Sequence, residues 1–194
     1  ADDVIGEYRL LSLLGEGALG VVWHAQRIDR PQTVALKLIQ PSRVPEPARA
    51  QAYDGLTRAL TRTGRLEHDN LQSLLGTSLR AEDGVFGLAA RHYDGGPFEN
   101  IGNVGRTATL LKALGLLRQL AGCLAWLHDL GLVHGNIKPS NALITPTASG
   151  PRLVLMDLCW STAHLGRRTE KNRIFVSPEQ LAKQSATAAS DQWS

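Results

Sequence analysis

At 194 residues, with 43% hydrophobic and 20% charged residues, the chain is long enough to bury a real core, as one large domain or two small lobes. A formal charge of +3 with scattered Lys and Arg gives no support to a nucleic-acid partner. Two cysteines, Cys123 and Cys159, argue against a disulfide scaffold and for a reducing compartment, so the expectation is a cytoplasmic protein or the cytoplasmic domain of a larger one. No uninterrupted apolar run reaches the roughly 18 residues of a membrane span, and no signal-peptide pattern opens the chain.

In chain order, strand signals dominate the first ninety or so residues. The stretch EYRLLSLLGEGALGVVWHAQR (7 to 27) reads as two strands joined by a glycine-rich turn, and TVALKLI (33 to 39) gives a third after a polar break. Residues 48 to 66 are helical in spacing, weakened by Gly55 and Gly64. Shorter strands fit 71 to 79 and 84 to 90, and a glycine-rich connection covers 93 to 106. Apolar residues at 110, 114, 117, 121, 124 and 127 then form one helical stripe, closed by Gly131. The polar loop in LVHGNIKPSNALI (132 to 144) reads as lying between two strands, which is where a rigid scaffold usually presents its chemistry.

Two features carry chemistry before any family is invoked. Gly15, Gly17 and Gly20 form a G-x-G-x-x-G that is followed by a strand, VVWHAQ. A dinucleotide fingerprint must open a helix, so this one points to a backbone flap lying over phosphates. Taken alone, a glycine-rich hairpin turn is the better explanation of the bare motif. Lys37 sits inside an apolar strand between Leu36 and Leu38, a place where lysine seldom points inward without a partner. The alternative there is a lysine whose stem snorkels along an edge strand. The loop at 132 to 144 holds a histidine, a lysine and two asparagines but no carboxylate.

The ordered set of glycine loop, strand lysine, LEHDNL, HGNIKPSN, LMDLC, SPEQ and SDQWS resembles the protein kinase family, in particular the eukaryotic-type Ser/Thr kinases of bacteria. The resemblance runs the length of the chain. It implies an α+β, bilobal protein-kinase-like fold. An antiparallel-sheet N-lobe with one main helix (1–91) would precede a hinge and a mainly helical C-lobe (92–194), truncated after the activation segment. It implies ATP and magnesium as cofactors and protein partners in signalling. Gly15, Gly17 and Gly20 would cover the nucleotide phosphates, and Lys37 would pair with two of them. Ala90 falls at the gatekeeper position, with Arg91 and His92 in the hinge that meets the adenine. Asn141 and Asp157 fall where the family holds its magnesium ions, and Lys138 where it steadies the transferring phosphate. Asp191 would tie the following helix to the catalytic-loop backbone.

Departures from the pattern matter more. Where the family reads His-Arg-Asp, this chain has His134, Gly135 and Asn136. A carboxamide cannot accept a proton near neutral pH, and a positioned general base is worth about 10² to 10⁴ in rate. Gly135 also removes the arginine that meets a phosphorylated activation segment, here 157 to 179 with hydroxyls at Ser161, Thr162 and Thr169. Arg167 and Arg168 could substitute for it. The helix glutamate that pairs with the strand lysine is replaced at Ala59, and the nearest acid on that helix is Asp54. Leu158 and Cys159 stand for the Phe-Gly after the metal-binding aspartate. The resemblance therefore implies a pseudokinase, with Asn136 at a degenerate general-base position. Two alternatives stay open: a weakly active atypical Ser/Thr kinase, since Lys37, Lys138, Asn141 and Asp157 survive, and a scaffold that binds no nucleotide. The HGN triplet is also similar to the His-Gly-Asp loop of small-molecule kinases, but IKPSN and SPEQ favour the protein-kinase branch.

Overall fold

The protein is represented by a computed structural model, which describes residues 4–17, 20–44, 46–80, 84–98, 106–158 and 170–194. These fall into two compact units. The first comprises Ala1–Leu66 and Ser73–Tyr93, and the second Glu67–Gln72, Asp94–Ser161 and Arg168–Ser194.

The first unit is a six-stranded sheet. Its strands are β1 (Val4–Ile5), β2 (Tyr8–Gly17), β3 (Gly20–Arg27), β4 (Thr33–Ile39), β5 (Leu74–Arg80) and β6 (Val85–Arg91), in the spatial order β1-β2-β3-β4-β6-β5. Neighbouring strands are antiparallel throughout. Strand periodicity divides the sheet into two faces. Val34, Leu36 and Leu38 of β4 join Ile5, Tyr8, Ala25, Val85 and Ala89 in a buried cluster, with Leu10, Val21 and Trp23 packed against it. Lys37 alternates with those residues and so lies on the opposite face.

Helix α1 (Glu46–Thr63) packs against β5. Tyr53 fixes it, stacking on Phe86 with ring centroids 4.9 Å apart and donating its hydroxyl to the Gly84 carbonyl at 3.1 Å. Gly64 does not weaken the helix from within but lies just past its end, where its N–H bonds to the Leu60 carbonyl at 2.6 Å.

The second unit is built on a long helix and a hairpin. α2 (Arg106–Asp129) packs on β9 (Gly150–Leu155), which pairs with β8 (Ala142–Thr147), and β8 pairs with the short β7 (Gly96–Pro97). The face that α2 buries runs through Leu116, Cys123 and Leu127. The stripe expected from sequence is corrected in part: Leu110, Leu114 and Leu117 are exposed, and of its members only Leu127 is fully buried. This helix is leucine-rich on more than one side, and the β8–β9 hairpin selects which side is covered. By length and composition alone, Leu110–Asp129 would also pass for a membrane-crossing helix, because an averaged hydropathy tolerates Lys112 and Arg118.

Residues 67–72 are tied to the same hairpin. Leu71 bridges Leu155 in parallel, and the Asn70 side-chain amide donates to Gln119 Oε1 at 2.9 Å and to the Leu153 carbonyl at 2.7 Å. The Asn70 of LEHDNL is thus a staple between loop, helix and strand.

After α2, Gly131 takes a left-handed φ of 68° and turns the chain. Residues 132–138 form no strand, contrary to the strand-loop-strand expectation. Their backbone donors go elsewhere. Leu132 N–H returns to the Leu127 carbonyl, and those of His134 and Gly135 go to a side chain far along the sequence. A 3-10 turn (Pro139–Asn141) leads into β8. α3 (Pro178–Leu181) and α4 (Ala188–Trp193) are short.

Candidate functional site

In the first unit, residues paired across antiparallel strands share a face. Val22, Lys37 and Leu88 form one such row, and His24, Ala35 and Ala90 form the next. The face that carries Lys37 therefore has the small side chains Ala35 and Ala90 beside it, a shallow floor. His92 follows Ala90 by two residues and stacks on His24, with ring centroids 4.4 Å apart, at the end of that floor. The Arg91 N–H donates to the Ser73 carbonyl at 2.9 Å, so this backbone donor is already committed. Val22 and Ala35 belong to this face as much as the predicted residues do. The signal for them was in the period-two alternation counted from Lys37.

The three glycines differ in what requires them. A Cβ on Gly20 would lie 1.8 Å from the Leu38 carbonyl oxygen, so the packing of β3 on β4 demands glycine there. Around Gly15 a Cβ would meet nothing within 4 Å, and at Gly17 only the Gly20 carbonyl oxygen at 4.0 Å. Neither has positive φ. Nothing among the described residues of the unit requires glycine at these two positions.

In the second unit the catalytic-loop candidates hang on two buried groups. The Asp191 carboxylate, from α4, accepts the His134 N–H at 2.9 Å and the Gly135 N–H at 2.6 Å, and meets His128 Nε2 at 2.9 Å. His134 is fully buried; its Nε2 donates to the Met156 carbonyl at 2.9 Å and its Nδ1 accepts from the Asn136 N–H at 3.3 Å. Desolvation holds its pKa below the ordinary histidine value, so the ring is neutral and its proton sits on Nε2. The expected anchoring of the loop by Asp191 is what the structure shows.

The Asn141 backbone brings the metal-ligand candidates to the same end of the hairpin. Ala142 pairs with Leu155, and the Met156 N–H donates to the Asn141 carbonyl at 2.8 Å, so Asn141 and Asp157 flank the last rung of β8–β9. The Asn141 Nδ2 is used on the Asn136 carbonyl at 2.9 Å, which leaves Oδ1, the atom a hard cation prefers. Asp157 has a φ of 67°, a left-handed conformation that costs a non-glycine residue about 1 kcal/mol or more. Leu158 beside it is buried. Lys138 is the extended residue before the 3-10 turn, and its carbonyl accepts the Asn141 N–H at 2.9 Å. The amide oxygen of Asn141 and the carboxylate of Asp157 are donor types that suit a hard cation such as magnesium.

Gln180, which sequence reasoning passed over, is buried and donates from Nε2 to the Gly135 carbonyl at 2.8 Å. It ties SPEQ to HGN. Its neighbour Glu179 accepts from the Ser190 hydroxyl, a bond that lowers the glutamate pKa. Asp54, the acid closest to the missing glutamate position, has its carboxylate on Arg58 one turn along α1. Cys159, Ser161, Thr162, Arg167, Arg168, Thr169 and the Ala59 side chain lie outside the described residues.

Mycobacterium tuberculosis Ser/Thr-protein kinase PknA is 28% identical over 198 residues, a match covering 97% of this chain and 44% of PknA. PknD of the same species is 30% identical over 140 residues, 72% of this chain and 20% of PknD. The chain thus spans less than half the length of these relatives. The crystal structure of the M. tuberculosis PknI kinase domain superposes with a TM-score of 0.75 at 21% identity, over 98% of this chain and 71% of that one, and shares its fold. The protein kinase domain family matches residues 8–194, nearly every element described above, and the chain belongs to that family.

Proposed function

We propose that this chain is a pseudokinase: a nucleotide-binding signalling or scaffolding module with little or no phosphotransfer. The observation that carries the reading is Asn136 on an otherwise intact loop. His134, Gly135 and Asn141 are each held by named hydrogen bonds, and the residue at the base position is a carboxamide. A misfolded loop would explain inactivity trivially. A well-anchored loop that lacks a proton acceptor points to a structure kept for something other than transfer.

The kinase family uses ATP and magnesium. In the first unit, the open backbone at Gly15 and Gly17 and the Lys37 side of the sheet, opposite the buried cluster, suit nucleotide phosphates. In the second, Asn141 Oδ1 and the Asp157 carboxylate suit magnesium. Bound there, the metal would neutralise phosphate charge. Neither task needs a general base.

Survival of Lys37, Lys138, Asn141 and Asp157 favours a second reading, a weakly active atypical Ser/Thr kinase. Phosphoryl transfer rests largely on positioning and electrostatics, so slow turnover needs no carboxylate. Incubation of the purified chain with labelled ATP, magnesium and a generic protein substrate separates the two. Transfer above background is not expected, and Asn136→Asp alone is expected to recover little, since Leu158 and Cys159 still stand for the family's Phe-Gly and Ala59 for its helix glutamate. Robust magnesium-dependent autophosphorylation by the unmodified chain would establish the second reading instead.

A further inference from the structure

The glycine-rich hairpin is weakly built near its tip. The β2–β3 ladder shifts register between Leu10 and Ser12 and again between Leu13 and Gly15, and each irregularity costs ladder hydrogen bonds. Beyond it come two glycines whose side-chain positions touch almost nothing. Such a segment has high backbone entropy when untethered.

A side chain reaches it from outside the hairpin. Arg43 donates from Nη1 to the Gly17 carbonyl at 2.6 Å and from Nη2 to the Glu16 carboxylate. Its mount is stiff. Arg43 ends the 3-10 turn Pro41–Arg43, closed by Arg43 N–H to Gln40 and Val44 N–H to Pro41, and buried Ile39 and Val44 stand on either side. The guanidinium is a planar fork, which suits holding two acceptors at once.

We propose that Arg43 is a positioning residue for the glycine-rich hairpin: it clamps the Glu16–Gly17 end so that the phosphate-facing backbone is set before a nucleotide arrives. The nucleotide half of this statement rests on the reading above; the clamp itself does not. A phosphate could compete with Glu16 for the same guanidinium. The preorganising role is favoured because one of the two acceptors is the flap's own main chain, which fixes backbone geometry directly.

Amide hydrogen exchange of the nucleotide-free chain tests the clamp. Arg43→Ala should speed exchange at Gly15 to Gly17 and Gly20 to Val22 by about two- to fivefold, the range of a partly exposed charged contact. Amides of β6 should be unchanged. Arg43→Lys should fall between, since one ammonium cannot fork to both acceptors, and Glu16→Gln should loosen the flap less because the Gly17 bond remains. About 0.5 M salt should move the unmodified protein toward Arg43→Ala and leave that variant unmoved. Equal flap exchange in Arg43→Ala and the unmodified chain would overturn the proposal, as would weaker ATP binding in that variant with no change in exchange, which makes Arg43 a direct phosphate ligand. If neither form binds ATP, the exchange result still stands and only the nucleotide reading fails.

Discussion

Gly135 has a φ of 67°, a conformation glycine takes freely and other residues take at a cost of about 1 to 2 kcal/mol. Reintroducing the family's arginine there should therefore destabilise the chain. Gly135→Arg is expected to lower the thermal midpoint by roughly 2 to 8 °C for a domain of this size, and Gly135→Ala by a similar amount, which assigns the loss to the backbone rather than to the guanidinium. His134 gives a pH dependence whose sign follows from its burial. A free imidazole protonates near pH 6.5, whereas the buried ring protonates at lower pH. Between those two values the unfolded chain binds the extra proton, so stability rises with pH across that window and is complete above it. The midpoint should fall as pH drops below about 7, and the His134 ring resonances should stay neutral below pH 6.5. At this scale the chemistry of HGN was legible in the residues themselves. Its anchoring was less so: Asp191 was expected from the resemblance, while nothing in the local sequence of Gln180 says that its amide reaches a carbonyl 45 positions away.

Strands β2 to β6 were legible because their periodicity is two and their ends are punctuated; TVALKLI is β4 to the residue. Helix α2 was legible as a helix but not in orientation. With Leu110, Leu111, Leu114, Leu116, Leu117, Leu120, Leu124 and Leu127 on one helix, a 3.6-residue period fits more than one stripe. Only the hairpin it packs on decides. The energetic consequence is a sharp contrast between neighbours. Leu116→Ala should cost about 2 to 5 kcal/mol through lost burial and a cavity. Leu111→Ala, on a residue two-thirds exposed, should stay within roughly 0.5 kcal/mol. Denaturant unfolding of the two variants measures both, and equal losses would show that the Leu111 face is covered in solution.

At the scale of the whole chain, the order of motifs made the fold legible even where single motifs were weak, because a glycine loop, a strand lysine and an HGNIKPSN loop constrain one another through the same topology. What it could not convey was the interplay of distant segments, such as residues 67–72 joining β9 in the second unit. The nucleotide binding proposed above is measurable as stability. A ligand that binds only the folded chain adds RT ln(1 + [L]/Kd), about 2.7 kcal/mol at a hundredfold excess. Each kcal/mol moves the midpoint of a chain this long by roughly 2 to 4 °C, so millimolar ATP with magnesium should raise it by several degrees. Lys37→Ala should shrink that shift with or without metal. Asp157→Asn should abolish its magnesium dependence while keeping a residual ATP effect. Asparagine tolerates the left-handed φ of position 157 as well as aspartate does, so a lost metal response there cannot be ascribed to backbone strain. A midpoint that does not move across millimolar ATP and magnesium, on well-folded protein, leaves the scaffold that binds no nucleotide as the reading that survives.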